Sequence, residues 1–230
     1  MRRIVLGVCV VATHVVVSAG LPLHAGQLQG VAAKTMPLLY DRVRAVGSHL
    51  DETLDAGDVP YANLAEMASR APVIVIGRTR GLRSRLAADE VGIATEIALS
   101  VQECLKGPVP PGSLIYFRVP GGFHRFPDGR TARQTLPGFR SVRTDATYVL
   151  FLRPIPPARG TPAEVRDRRT IRPYRAEYEL AAGDQGRFEL QVASGTVVPA
   201  PGGMDHPLVS RYAGMSVTDF LVELSRAVAR

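Results

Sequence analysis

Residues 92–122 read GIATEIALSVQECLKGPVPPGSLIYFRVPGG, an alternation of apolar and polar side chains broken by glycine and proline. Ile93, Ile97, Leu99, Val101 and Leu105 fall on one face, and Glu96, Ser100 and Gln102 on the other. A period of two over a dozen residues predicts a half-buried strand rather than a helix. Gly107, Pro108, Pro110, Pro111 and Gly112 do not suit a central strand, so the chain turns there. Ile115, Phe117 and Val119 then resume the alternation, which makes a hairpin, and Pro120, Gly121 and Gly122 end it.

Other segments carry the same signature. Val73–Ile76 is an apolar run that becomes alternating at Gly77, where a bulge or bend is expected. Thr147–Leu152 is apolar on both faces, as in a central or covered strand. Tyr174, Ala176, Tyr178 and Leu180 alternate before AAGDQG, and Phe188, Leu190 and Val192 alternate after it, which predicts a second hairpin. GTVVP, residues 195–199, adds a short edge.

Helical spacing is confined to the margins. Leu39, Val43, Val46, Leu50 and Leu54 recur every three or four residues after Pro37, although Gly47 interrupts them. Asn63 followed by Glu66 caps a short helix bearing Leu64, Met67 and Ala68, expected to pack at a barrel end. Ser216 and Asp219 form a similar box before the apolar stripe Val217, Phe220, Leu221, Leu224 and Val228, an amphipathic docking helix.

The N-terminus reads as an export signal. Arg2 and Arg3 precede the apolar run Ile4–Val17, and small residues place cleavage after Ala19 or Ala25. The run is shorter than the roughly 18 uninterrupted apolar residues of a span, so no membrane span is expected after cleavage. The expected location is exported, either periplasmic or extracellular. Cleavage leaves Cys104 alone, without an intrachain disulfide partner, and it reads as a small buried hydrophobe.

Of the 28 basic residues only Lys34 and Lys106 are lysines, and the net charge is +7. Arginine suits planar recognition of carboxylate or phosphate, but codon bias gives the same composition. The one dense cluster, Arg166–Arg169, reads as a solvated loop.

Nucleophile-elbow, zincin, phosphate-loop and cysteine-knuckle motifs are missing from the sequence. His124 with Asp128, or Asp205 with His206, are metal-ligand types, but too few to predict a metal site. No metal, cofactor or catalytic residue is assigned, and the chain is read as a non-enzyme. The long connection 120–146 exceeds the usual length of an unstructured loop. Its Phe123, His124 and Arg125 are the candidate ligand-binding residues, for a peptide, a polysaccharide or an acidic envelope component. The competing reading is a flap whose aromatic side chains close a barrel end.

These strands predict a mainly β protein, a small antiparallel β-barrel with an N-terminal helical extension and a C-terminal amphipathic helix. The segments ASRAPVIVIGRTRGL, IALSVQECLKG, GSLIYFRVPGG, LPGF and TYVLFL resemble an uncharacterised family of exported bacterial proteins. More distantly they resemble the OB-like barrel of the netrin and tissue-inhibitor-of-metalloproteinase (TIMP-like) modules, over roughly residues 64–192. The resemblance implies a fold and not an activity. Metalloproteinase inhibition by an N-terminal zinc-ligating cysteine is excluded, since neither cleavage site exposes a cysteine.

The resulting division is a signal peptide at 1–25, a partly helical extension at 26–62, a barrel at 63–200, and a linker with helix at 201–230. The leading expectation is a binding module whose partner is an envelope protein or polysaccharide of unknown identity. A polyanion or nucleic-acid binder and a secreted hydrolase with a spatially assembled site are the alternatives, with nucleic acid disfavoured by export and by the scattered arginines.

Overall fold

The computed structural model describes residues 36–55, 61–155, 177–202 and 206–229. The leader, the Arg166–Arg169 cluster, Tyr174, Ala176 and Asp205 lie outside them. In chain order the elements are α1 (Leu39–Val46), β1 (His49–Thr53), α2 (Leu64–Arg70), β2 (Val73–Leu86), β3 (Ile93–Lys106), β4 (Leu114–Pro120) and β5 (Gly122–Arg125). They continue with β6 (Thr131–Thr135), β7 (Thr147–Pro154), β8 (Glu177–Asp184), β9 (Arg187–Gln191), β10 (Thr196–Pro199), α3 (Pro207–Tyr212) and α4 (Val217–Val228).

Strands dominate, in two sheets. The larger has the order β10-β9-β7-β2-β3-β4-β8, and β8 also pairs with β7. Its pairings therefore run β7-β2-β3-β4-β8 and back to β7, a ring-like path. The expectation of an all-antiparallel sheet is corrected at one step of that path, because β4 and β8 pair in parallel, Tyr116 opposite Glu177. The smaller sheet has the order β1-β6-β5, with β1 parallel to β6.

Three apolar clusters explain this arrangement. Val73 and Val75 of β2, Ile97, Leu99 and Val101 of β3, Ile115, Phe117 and Val119 of β4, Tyr148, Leu150 and Leu152 of β7, and Tyr178 and Leu180 of β8 fill the inside of the ring. The opposite faces of β2 and β7, with Ile74, Ile76, Val149 and Phe151, pack against α2, α3 and α4. Because β7 is covered on both sides, Tyr148–Leu152 is buried at every position. α2 thus packs on a sheet face, not at a barrel end. A third cluster of Leu39, Val43, Ile93, Phe126 and Ala132 lies between α1, the start of β3 and the smaller sheet.

The helix caps read from sequence are present. Asn63 Oδ1 accepts the Glu66 amide at 3.0 Å, and Ser216 Oγ accepts the Asp219 amide at 3.1 Å. Tyr212 of α3 joins this layer, donating to Glu223 at 2.9 Å and accepting the Leu64 amide at 3.3 Å. Burial together with the Glu223 contact pushes its phenol up to about 12.

Four expectations are corrected. The helix predicted through Leu54 ends at Val46, because Gly47 takes φ +118° and residues 49–53 pair with β6 instead. Strict alternation in β3 stops after Val101: Gln102 and Leu105 have no opposite residue on β2, so each bulge reverses the parity. Leu105 thereby faces the helical layer and Cys104 the ring interior. Glu96, assigned to the solvent face, is 5% exposed, placed opposite Arg83 and Arg118 and paired with Arg85 at 2.9 Å. Finally, β8 and β9 do not form a hairpin with each other. They lie end to end along the same edge of β7, β9 opposite Thr147–Leu150 and β8 opposite Leu152–Pro154, and Val192 beyond β9 is exposed.

Gly77 sits at the expected irregularity, where β2 slips register between Ile76 and Gly77. A Cβ there would lie 2.7 Å from the Leu99 side chain and 2.8 Å from the Ser100 carbonyl oxygen, so the close approach of β2 to β3 at this bulge needs glycine. Among the described residues, no helix is long and apolar enough to cross a membrane.

Candidate functional site

The connection 120–146 is not a structureless loop. It contains β5 and β6, whose antiparallel register sets Phe123 opposite Arg133, His124 opposite Ala132 and Arg125 opposite Thr131. Alternation along β5 separates the three candidate residues. Phe123, 51% exposed, and Arg125 face solvent, whereas His124 is half-buried and stacks edge-on against Phe126 at 4.7 Å. Phe126 is itself buried with Leu39, Val43 and Ala132, so His124 packs its ring against the edge of the third cluster.

Gly121 and Gly122 bring β5 down onto the ends of β2 and β3. Both have positive φ, and a Cβ on Gly122 would lie 2.4 Å from Ser84 Oγ and 2.5 Å from Thr95 Oγ1. Thr95 donates its hydroxyl to the Gly121 carbonyl at 2.8 Å. Ser84 is therefore the donor in its 2.8 Å contact with Thr95, and both hydroxyl hydrogens are committed.

Above this floor opens a cleft of about 390 Å³, bounded by the ends of β2, β3 and β4, by β6, and by the segment 136–142. Among the described residues its lining includes Arg133, Arg140 and Arg187 but no aspartate, glutamate, lysine or histidine. Arg187 is 4% exposed, and its guanidinium donates to the Arg140 carbonyl. The Arg140 amide bonds to Ala200 at 2.8 Å, and Phe139 bridges Pro201, so the wall that carries Arg140 is pinned to residues 200–201. Gln134 is held too, accepting the Ile93 amide at 2.6 Å and donating to Glu52 at 2.8 Å. Arg187 is buried and Arg133 and Arg140 are exposed at the mouth, and arginine side chains gathered beside a low-dielectric wall attract an anionic group more strongly than the same charges in open water. Behind β7, burial raises the Tyr148 phenol, against the opposing Arg143 amide that donates to it at 2.9 Å.

The remaining sequence candidates are engaged elsewhere. Asp128 accepts from Tyr40 at 2.9 Å and from the Arg130 amide and guanidinium. Although burial opposes it, these donors hold the Asp128 carboxyl below its ordinary 3.8. His206 caps α3, its Nδ1 accepting the Leu208 amide at 3.2 Å, and burial lowers its pKa. Among the described residues, no group of three or more histidine, cysteine, aspartate or glutamate side chains is placed to hold a metal.

One constellation has no signal in the sequence. On β1 and β6, Thr131 Oγ1 lies 2.7 Å from His49 Nδ1, whose Nε2 is 3.0 Å from Asp51 Oδ2. The residue types are those of a nucleophile, a base and an orienting acid. They lie on an open sheet face, with the His49 and Asp51 side chains 46% and 68% exposed, where water competes for every contact. Arg133, Arg140 and Arg187 also escaped attention, as three scattered arginines. Their one local cue is TARQT, whose alternation puts Ala132 and Gln134 inside and Arg133 outside. Comparison with known protein families and with curated proteins finds no match to this chain.

Proposed function

We propose that the chain is an exported, non-enzymatic binding module of the periplasm or extracellular space whose arginine cleft receives an anionic group of its ligand. The observation that carries this reading is the cleft itself, with three arginines, no acidic side chain among the described residues that line it, and a pinned wall. Its volume falls in the range of small-ligand pockets. The hydroxyls on its floor are committed to fixed acceptors with no base beside them, which favours binding over nucleophilic chemistry.

The ring is read here as an OB-like barrel of the netrin and TIMP-like kind. Supporting this are the five-strand path β7-β2-β3-β4-β8 and the parallel joining of its third and fifth strands in chain order, β4 and β8. Export is supported by the basic and apolar start of the chain.

The test is thermal stabilisation of the secreted chain by glucuronate and by inorganic phosphate, since a ligand that binds only the native state raises the melting temperature by mass action. Stabilisation that is lost in an Arg133→Ala, Arg140→Ala double variant is expected. Equal responses from both proteins, or none from either, reject the cleft. The secreted chain should begin at Gly20 or Gly26 by mass spectrometry, and an intact N-terminus rejects cleavage.

The Asp51, His49 and Thr131 geometry favours one second reading, a surface hydrolase. Turnover of an activated ester that disappears in Thr131→Val would establish it in place of the binding reading.

A further inference from the structure

We propose that the arginine cleft and the outer face of the three-stranded sheet form one continuous track for a linear uronate-bearing polysaccharide. This rests on the cleft reading above and extends it from a single anionic group to a polymer.

The continuity follows from the register. Residues opposite one another in a sheet project from the same face, and so do residues two apart on a strand. Phe123 opposes Arg133, which opposes Asp51 on β1; Arg125 opposes Thr131, which opposes His49. Phe123, Arg125, Arg133, Asp51 and His49 are all exposed. Arg133 and Thr135 belong both to this face and to the lining of the cleft. The face thus meets the cleft at Arg133 and Thr135, and β6 alone carries it about 13 Å from Thr131 to Thr135, at about 3.3 Å per residue.

The side chains select the class of polymer. Arg133 and Arg140 offer bidentate donors to carboxylates. Asp51 keeps lone pairs beyond its His49 contact to accept from hydroxyl groups, and the Thr131 and Thr135 hydroxyl oxygens can accept as well. Phe123 offers an apolar ring face to the C–H surface of a sugar. A DNA strand carries a phosphate at every unit and no free hydroxyl along its length to hydrogen-bond to Asp51 and offset the repulsion. Such strands also depend on successive stacking aromatics, whereas among the described residues Phe123 is the one phenylalanine, tyrosine or tryptophan on this face. An acidic peptide brings few hydroxyls to satisfy Asp51. A hydroxyl-rich polymer with spaced carboxylates matches both kinds of group.

The experiment measures binding of the secreted full chain to galacturonate, to its linear hexamer, to a neutral cello-hexaose and to oligothymidylate. The hexamer is expected to bind about tenfold or more tightly than the monomer, because track contacts add to the cleft contact. Phe123→Ala should remove most of that gain, and Arg140→Ala should weaken binding of monomer and hexamer alike. A hexamer no tighter than the monomer overturns the track and leaves the cleft standing. Failure of both to bind overturns the cleft reading as well. Equal or tighter binding of oligothymidylate or cello-hexaose overturns the uronate assignment.

Discussion

At Gly122 two constraints coincide, a φ of +133° and the approach of Ser84 and Thr95 to where a side chain would begin. Gly122→Ala is expected to cost about 2–4 kcal/mol, combining backbone strain with overpacking. Urea denaturation checks this, and Ser84→Gly in the same chain should recover only part of the loss, because the Thr95 hydroxyl and the positive φ both remain. A full recovery would show that crowding by Ser84 alone matters. His206 makes a second prediction at this scale. Burial holds its pKa below the ordinary 6.5, and its neutral Nδ1 caps α3. The unfolded chain therefore binds the proton more tightly than the native one. Stability is complete above about pH 6.5 and falls as pH drops through that value toward the lower folded pKa. His206→Asn, which keeps an acceptor that does not titrate, should flatten this segment of the stability profile; an unchanged slope would assign it to other groups.

Among the elements, α2 stands on its cap. Asn63→Ala should destabilise by about 1 kcal/mol, whereas Asn63→Asp should be nearly neutral, both read from denaturation midpoints. α2 and α4 are recognisable because capping and the apolar stripe are local properties of neighbouring residues. α3 is less so, since its cap is a histidine and it has only six residues. β1 shows the opposite limit: HLDET has little β character and follows a helical spacing, and it is a strand because β6 supplies the hydrogen bonds. In β3, alternation predicts the inward face correctly through Val101 and then fails, since a bulge is a relation between two strands and leaves no mark on one. The pairing of β8 and β9 with β7 instead of each other has the same origin.

Taken as a whole, the molecule has unequal cores. β2 and β7 each border both the ring interior and the helical layer, while β1, β5 and β6 rest on the small third cluster. Native-state hydrogen exchange should find Val75 and Val149 amides opening only with global unfolding and Ala132 opening earlier. Uniform protection across both sheets would mean that the smaller sheet is not a separate unit of opening.

The sequence alone determined the mainly β character, the β3–β4 hairpin, the doubly covered Thr147–Leu152 strand and the caps of α2 and α4. Each is written in the period of burial or in a side chain within four residues of its target. Length and aromatic content also single out residues 120–146, within which Phe123 lies opposite Arg133 of the cleft. Tertiary structure decided the rest. The cleft draws Arg133 from β6, Arg140 from the following segment and Arg187 from β9, and only the ring path and the pinning of residues 138–140 set these charges around one space. A field made by distant charges depends on where the backbone carries them, and no spacing along the chain records that distance.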